Sequence, residues 1–270
     1  MQSSNEYQVH ENEFPDEDEF SDEDQLSHED QLSRLRAAHT LLQAGIHHIV
    51  WAEYAMGIAH CIPISWTLFN LELLVSPYDI TRAAHLICLK HSYTPIDVRR
   101  AQYWEGNPKG FNPLSTVILR HRDYPDCYKA NEPPDIYLHT ASTFHFDIND
   151  PSLTATHPCP PDEASGRLLY PSLLAFCNSI IDSIHEPPLP FYHANFYLNW
   201  LGLLDFLCGY AVGEKGYYTK DGELIGTCER LLQGIKEENR PFISRVLYDL
   251  GNLPLQTSAF ERILIKNARW

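Results

Sequence analysis

The chain has 270 residues, of which 44% are hydrophobic and 12% aromatic, enough apolar material for a sizeable core. Its formal charge of −16 is concentrated at the start, because residues 1–30 hold twelve Asp or Glu and no Lys or Arg, leaving 24 acids against 20 bases. A broad basic surface for nucleic acid is therefore not expected, since phosphate binding depends on clustered Lys and Arg.

The first thirty residues are rich in charge and poor in apolar side chains. Burial of so little apolar surface cannot offset the entropy lost on ordering. We therefore predict a disordered acidic tail over residues 1–30. A tail of this kind solubilises the chain or offers a binding site to a protein partner.

The cysteines and the apolar runs bear on the compartment. Seven cysteines are an odd number, and they are scattered without a C-x-x-C pair. This pattern favours reduced thiols inside the cell, in the cytoplasm or nucleus. No basic-then-apolar leader opens the chain and no apolar run is long enough to span a bilayer, so neither secretion nor a membrane span is expected.

Residues 31–147 combine helical and extended patterns. In the first stretch Leu32, Leu35 and Ala38 share one face at helical spacing. The predicted helices are 31–44, 53–60 and 78–90. The predicted strands, rich in β-branched or bulky residues, are 46–51, 65–75, 114–121 and 135–141. This order predicts an α+β fold, a small mixed sheet covered by helices.

The character of the sequence changes after residue 147. Residues 148–166 are rich in proline and polar side chains, which predicts a linker. Beyond it, the region 167–270 is predicted to be mostly helical and to pack against the sheet. The helices are expected at 168–183, 191–212, 228–236 and 240–250, with a tight turn at Asp221-Gly222. A cleft between the two parts is a candidate binding site.

Two polar side chains interrupt the apolar strand SWTLFNLELLV. Asn70 and Glu72 are two residues apart, so they share one face of the strand. A pair of carboxylates in this arrangement binds divalent cations, and Asn70-Leu71-Glu72 is close to that pattern. The pair is also typical of polar residues that cap a strand end near a loop. Both interpretations remain open from the residues alone.

Set in order, AGIHHIVWAEYAM, CIPISWTLFNLELLV and the helix from Tyr78 resemble the core of the nucleotidyltransferase superfamily. They also resemble a group of uncharacterised fungal proteins with that fold, which suggests a fungal source. In the superfamily a strand ends in a G-[GS] turn that starts a helix, and the next strand carries D-x-D. The matching positions are Ala52-Glu53 and Asn70-Leu71-Glu72. The resemblance covers residues 31–145 and implies a nucleotidyltransferase-like core over 31–147.

The resemblance also implies a site for a nucleotide and Mg²⁺. Asn70, Glu72 and Asp135 become candidate catalytic residues, and Glu72 and Asp135 become candidate metal ligands. The Ala52-Glu53 turn becomes the candidate nucleotide-binding element. Asn70 is neutral, however, and Glu53 places a negative charge where a triphosphate would lie.

These departures lead to two functional expectations. The first is a catalytically degenerate protein, a pseudoenzyme, that acts as a binding or regulatory scaffold. The alternative is a metal-dependent nucleotidyltransferase with an atypical N-x-E site, in which Glu72, Asp135 and Glu53 hold one metal ion.

Other chemical motifs are weaker. His139, His145 and Asp147 lie on or beside the last predicted strand and form a candidate metal-binding group. A zinc site would need three or four such ligands to converge, which the sequence does not establish. The chain has no phosphate-binding G-x-x-x-x-G-K-[ST] loop, no G-x-S-x-G elbow and no G-x-G-x-x-G after a strand.

Overall fold

The computed structural model describes part of the chain. The described residues are 28–60, 70–96, 115–124, 126–127, 131–156, 168–187, 200–204, 207–208 and 226–251. The predicted disordered tail lies outside them, apart from residues 28–30, which begin the first helix. The predicted turn at Asp221-Gly222 also lies outside them.

Helices make up much of the described chain. The α-helices are α1 (His28–Gln43), α2 (Ala52–His60), α3 (Ile80–Lys90), α4 (Leu173–His185), α5 (Gly226–Gly234) and α6 (Arg240–Gly251), with further helical residues at 200–204 and 207–208. Short 3-10 helices occupy Ala141–Phe144, Pro151–Leu153 and Glu237–Asn239.

Within the described ranges, the strands form a five-stranded sheet and a two-stranded one. They are β1 (His48–Trp51), β2 (Leu71–Val75), β3 (Tyr93–Ile96), β4 (Thr116–His121), β5 (Asp135–Thr140), β6 (Thr154–Thr156) and β7 (Leu169–Pro171). The larger sheet has the order β1-β2-β5-β4-β3, with β2 and β5 parallel and the other neighbours antiparallel. The predicted α+β fold, a small mixed sheet covered by helices and followed by a helical C-terminal part, is confirmed.

Helical layers cover both faces of the sheet. Every residue of β1 and β2 is buried, as expected for strands packed on both sides. On one face α1 packs near Ile136 of β5 and against α3. On the other face Phe144, Phe176 of α4 and Trp200 pack against Trp51. Because Trp51 pairs with Glu72 across β1 and β2, this second face also carries the Glu72 side chain.

The helix predicted from residue 168 begins later than expected. Residues 169–171 form β7, which pairs with β6, and α4 starts at Leu173. The reason is local: the Ser172 hydroxyl accepts a hydrogen bond from the Ala175 N–H and so caps the helix at that point.

The predicted linker over 148–166 is partly structured. Its residues 151–156 form a 3-10 turn and then β6. The Asp150 carboxylate caps this turn by accepting a hydrogen bond from the Ser152 N–H at 2.9 Å. Residues 157–166 lie outside the described residues.

Strand β3 is an element that the sequence analysis missed. Its four residues, Tyr93-Thr94-Pro95-Ile96, pair with β4 at the edge of the sheet. Proline cannot donate to a strand ladder, so Pro95 weakened the sequence signal for a strand. An edge position tolerates it, because only one side of the strand is paired.

Candidate functional site

The sheet register brings the predicted site residues to one end of the sheet. β1 ends just before the Ala52-Glu53 turn, and antiparallel pairing sets that end beside the start of β2. The parallel register of β2 and β5 begins with Leu71 opposite Ile136, so Asn70 and Asp135 each come one residue before that first pair. Glu72, two residues after Asn70, pairs with Tyr137 in the same register. The residues that the sequence grouped by resemblance are therefore grouped in space.

The turn between β1 and α2 has an unusual backbone. Ala52 has a φ of 52° and is fully buried. This left-handed conformation favours glycine and costs an alanine roughly 1–2 kcal/mol. The position that resembles the glycine of a G-[GS] turn is thus one where the backbone would accommodate glycine more easily.

Glu53 occupies the first turn of α2 and is largely buried. The positive end of the helix dipole favours a carboxylate at this point. The same charge repels a phosphate that approaches the helix end, where free N–H groups would otherwise attract it. The turn therefore carries a largely buried acid next to the helix end, where an anionic ligand would need donors.

Glu72 belongs to a buried chain of polar groups. Its Oε2 lies 3.2 Å from His139 Nε2, and the Nδ1 of the same imidazole lies 2.9 Å from Thr116 Oγ1. Both Glu72 and His139 are completely shielded from solvent. A carboxylate oxygen only accepts hydrogen bonds, so an ionised Glu72 requires the proton on Nε2 of His139. The carboxylate is thus held by an imidazole on the neighbouring strand.

Asn70 is half-buried and lies next to this group of polar side chains. Its side-chain amide donates a hydrogen bond to the Tyr137 hydroxyl at 3.4 Å. The Tyr137 ring lies parallel to the His139 ring, with 6.1 Å between the ring centroids. Asn70 therefore contacts the same polar face as Glu72 through Tyr137.

Asp135 is bound by an arginine. Arg120 lies directly opposite on β4, and its Nε and Nη2 donate to the two carboxylate oxygens at 2.9 and 3.1 Å. This two-point pairing is the strongest geometry for an arginine and a carboxylate. The hydrogen bond to Asp135 raises the pKa of Arg120. The guanidinium also lies over the ring of Tyr124, 5.5 Å from its centroid.

These contacts decide how the site fits Mg²⁺. The ion needs oxygen ligands at about 2.0–2.1 Å in near-octahedral geometry. One oxygen of Glu72 faces His139, and both oxygens of Asp135 accept from Arg120. Across the described part of the chain, no group of three or more His, Cys, Asp or Glu is placed to hold a metal ion. The side chains as arranged do not fit a two-carboxylate Mg²⁺ site.

The three candidate metal ligands near the end of β5 do not converge. The strand ends at Thr140 and a 3-10 turn follows, which separates His139 from the other two. The exposed His145 ring lies 2.8 Å from the Glu186 carbonyl through Nε2. The Asp147 carboxylate accepts from the Asn149 N–H. His139 faces Glu72 instead.

An aromatic cluster covers the face of the sheet that carries Glu72. Its members are Trp51, Phe144, Phe146, Phe176 and Trp200. The ring centroids of Trp51 and Phe176 lie 4.5 Å apart, and those of Phe144 and Trp200 lie 4.9 Å apart. At this point the predicted cleft between the core and the helical region is filled with side chains.

Sequence reasoning missed Arg120, Thr116 and Tyr137 as members of the site. Arg120 and Thr116 alternate with apolar residues along β4, which indicates only that they share a face. Their partners lie on β5, and the sequence carries no direct signal for the register between those strands. The three residues become visible only when the sheet is assembled.

The chain was compared with protein-family models, curated proteins and solved structures, and no match was found. In the residues that the structure describes, no helix combines the length and the apolar character needed to cross a bilayer.

Proposed function

We propose that this chain is a catalytically degenerate protein of nucleotidyltransferase-like fold that acts as a binding or regulatory scaffold. The observation that carries the proposal is the occupation of both candidate metal ligands by protein donors. Glu72 faces His139, and Asp135 is held at two points by Arg120. With a neutral amide at Asn70, the site offers a divalent cation too few available carboxylates.

The nucleotide side of the site supports the same proposal. The backbone turn at Ala52 retains a left-handed conformation, but the next residue is Glu53. A triphosphate at this helix end would meet a carboxylate instead of an uncharged turn. Without a metal ion to offset the charge, the repulsion works against nucleotide binding.

The acidic tail is the proposed contact for a protein partner. Twelve acids without a base give it a strong negative charge, and electrostatic complementarity would select a basic protein surface. Helix α1 follows the tail. Its residue Arg36 forms an ion pair with Glu132 at 3.0 Å, and Glu132 comes three residues before Asp135. An intracellular setting, cytoplasmic or nuclear, is consistent with the thiols of Cys88 and Cys177, which form no disulfide.

Affinity capture from cells tests the scaffold proposal. The bait is the full chain, and the test variant has the same length with the twelve acids of residues 1–30 replaced by Asn or Gln. A control variant neutralises three exposed acids elsewhere, Glu229, Glu237 and Glu238. We expect the full chain and the control to retain specific partners that the neutral-tail variant loses and that elute as salt rises.

Capture of the same partners by the neutral-tail variant would contradict this role of the tail.

The alternative function is a metal-dependent nucleotidyltransferase with an atypical N-x-E site. Two observations favour it: the left-handed turn at Ala52, and the position of Asn70 and Asp135, each one residue before the first pair of β2 and β5. A bound Mg²⁺ would supply positive charge for a triphosphate, with Glu72 and Asp135 as its residues. The present contacts of both carboxylates would have to open first. This alternative requires metal-dependent nucleotide binding by the unaltered chain.

A further inference from the structure

This inference rests on the proposed function and concerns what replaces the metal ions. We propose that Arg120 and His139 are internal substitutes for divalent cations, which hold Asp135 and Glu72 and keep the site closed to metal. Restoring an acid at Asn70 is then insufficient to create a metal site. The site opens only when a substitute is removed as well.

Arg120 lies within β4, and its side chain is partly exposed. It lies directly opposite Asp135 in an antiparallel pair, so both backbones fix the distance between the side chains. The two hydrogen bonds use both carboxylate oxygens, and the Asp135 side chain is only 10% exposed. The Arg120 guanidinium also lies over the ring of Tyr124, 5.5 Å from its centroid. A cation that binds Asp135 must therefore displace a pre-positioned positive charge.

His139 is completely buried, whereas the Arg120 side chain is partly exposed. Its imidazole lies between Thr116 Oγ1 and Glu72 Oε2, while the ring of Phe144 packs edge-on at 5.1 Å. These contacts set the ring plane and direct Nε2 at the carboxylate. A metal ion at Glu72 would have to replace a donor that the surrounding side chains hold in place.

Position 70 distinguishes this inference from a simple loss of one ligand. Asn70 and Asp135 each come one residue before the first pair of β2 and β5, so Asn70→Asp would add a second carboxylate at the end of the sheet that carries Asp135. When Arg120 is present, its positive charge already offsets the negative charge of one of these two carboxylates. With Arg120 removed, the two acids repel each other, and a divalent cation relieves that repulsion. Metal affinity should therefore depend on the pair of changes together.

The test is Mn²⁺ binding, followed by the loss of the free-ion signal in electron paramagnetic resonance. The proteins are the unaltered full chain, Asn70→Asp, and Asn70→Asp combined with Arg120→Gln or His139→Leu. The control combines Asn70→Asp with Arg82→Gln, which removes an exposed arginine on α3. We expect the unaltered chain, Asn70→Asp and the control to bind no more tightly than about 1 mM, and the two opened variants at least about tenfold tighter.

Thermal melting with and without Mn²⁺ covers the case of unstable variants. We expect Mn²⁺ to raise the melting temperature of the opened variants, or to restore their folding, and to leave that of Asn70→Asp unchanged. Equal Mn²⁺ affinity for Asn70→Asp and the opened variants would overturn the inference. So would a lack of both binding and stabilisation in the opened variants, folded or not. Neither outcome decides the proposed function, which is tested separately by affinity capture and by metal-dependent nucleotide binding of the unaltered chain.

Discussion

At the scale of single residues, His48 shows how burial sets the protonation of the core. Its Nδ1 donates a hydrogen bond to the Ile46 carbonyl at 2.9 Å, which leaves Nε2 unprotonated and buried. The pKa of His48 is lowered from 6.5 to about 4, mainly by burial; the hydrogen bond to Ile46 opposes this shift, and the nearby His47 and His39 add to it. The folded protein therefore keeps this side chain neutral where the unfolded chain would protonate it.

This shift predicts a loss of stability in acid. As the pH falls, the unfolded state protonates His48 before the folded state does. The contribution of neutral His48 to the free energy of unfolding is therefore complete above pH 6.5 and is lost as the pH falls toward 4. Between pH 7 and pH 5 the free energy of unfolding should fall by about 2 kcal/mol from this residue. The pKa values of His60 and His91 are also lowered by burial, so they add to the effect. Urea unfolding at several pH values measures it.

The residue-specific part is isolated by His48→Asn, whose amide remains neutral throughout. We expect this variant to lose about 2 kcal/mol less than the unaltered chain between pH 7 and pH 5. His85→Asn, at an exposed position on α3, is the control and should keep the full pH dependence. Equal pH dependence in His48→Asn and the unaltered chain would show that His48 is not the titrating group.

At the scale of elements, the start of α2 carries the backbone strain of the site. Ala52→Gly removes a left-handed alanine, which recovers roughly 1–2 kcal/mol. It also loses a buried methyl group worth about 0.8 kcal/mol and adds the chain entropy of glycine, about 0.5–1 kcal/mol. These contributions nearly cancel, so we expect a change in unfolding free energy close to zero.

The matched comparison is Ala83→Gly, at a fully buried position inside α3. That variant loses a methyl group and helical propensity without relieving strain, so we expect it to cost about 2 kcal/mol in a urea titration. If Ala52→Gly proved as costly as Ala83→Gly, the turn would not be strained.

The elements also show how far local sequence signals extend. The helices predicted at 31–44 and 78–90 correspond to α1 and α3, because an apolar stripe at helical spacing is a local property. The short strands β3 and β7 were missed, since each contains a proline and has only three or four residues. Such strands form because a neighbouring strand offers partners, and that information is not local.

At the scale of the whole molecule, the resemblance grouped Ala52-Glu53, Asn70, Glu72 and Asp135, and the sheet register brings them to one end. The contacts that decide the chemistry were not predictable in the same way. His139 and Glu72 are 67 positions apart in the sequence, and Arg120 meets Asp135 only through the pairing of β4 with β5. Register is set by packing across the whole sheet, so the residues that occupy the carboxylates emerge only from the fold.

The central claim is that the site is closed to metal and nucleotide in the unaltered chain. Isothermal titration calorimetry of the full chain with ATP in the presence of Mg²⁺ or Mn²⁺ tests it most directly. We predict no binding up to about 1 mM, because Arg120 and His139 hold the two carboxylates and Glu53 repels the phosphates. Micromolar, metal-dependent binding that disappears in a Glu72→Gln variant would contradict the claim and support the nucleotidyltransferase alternative.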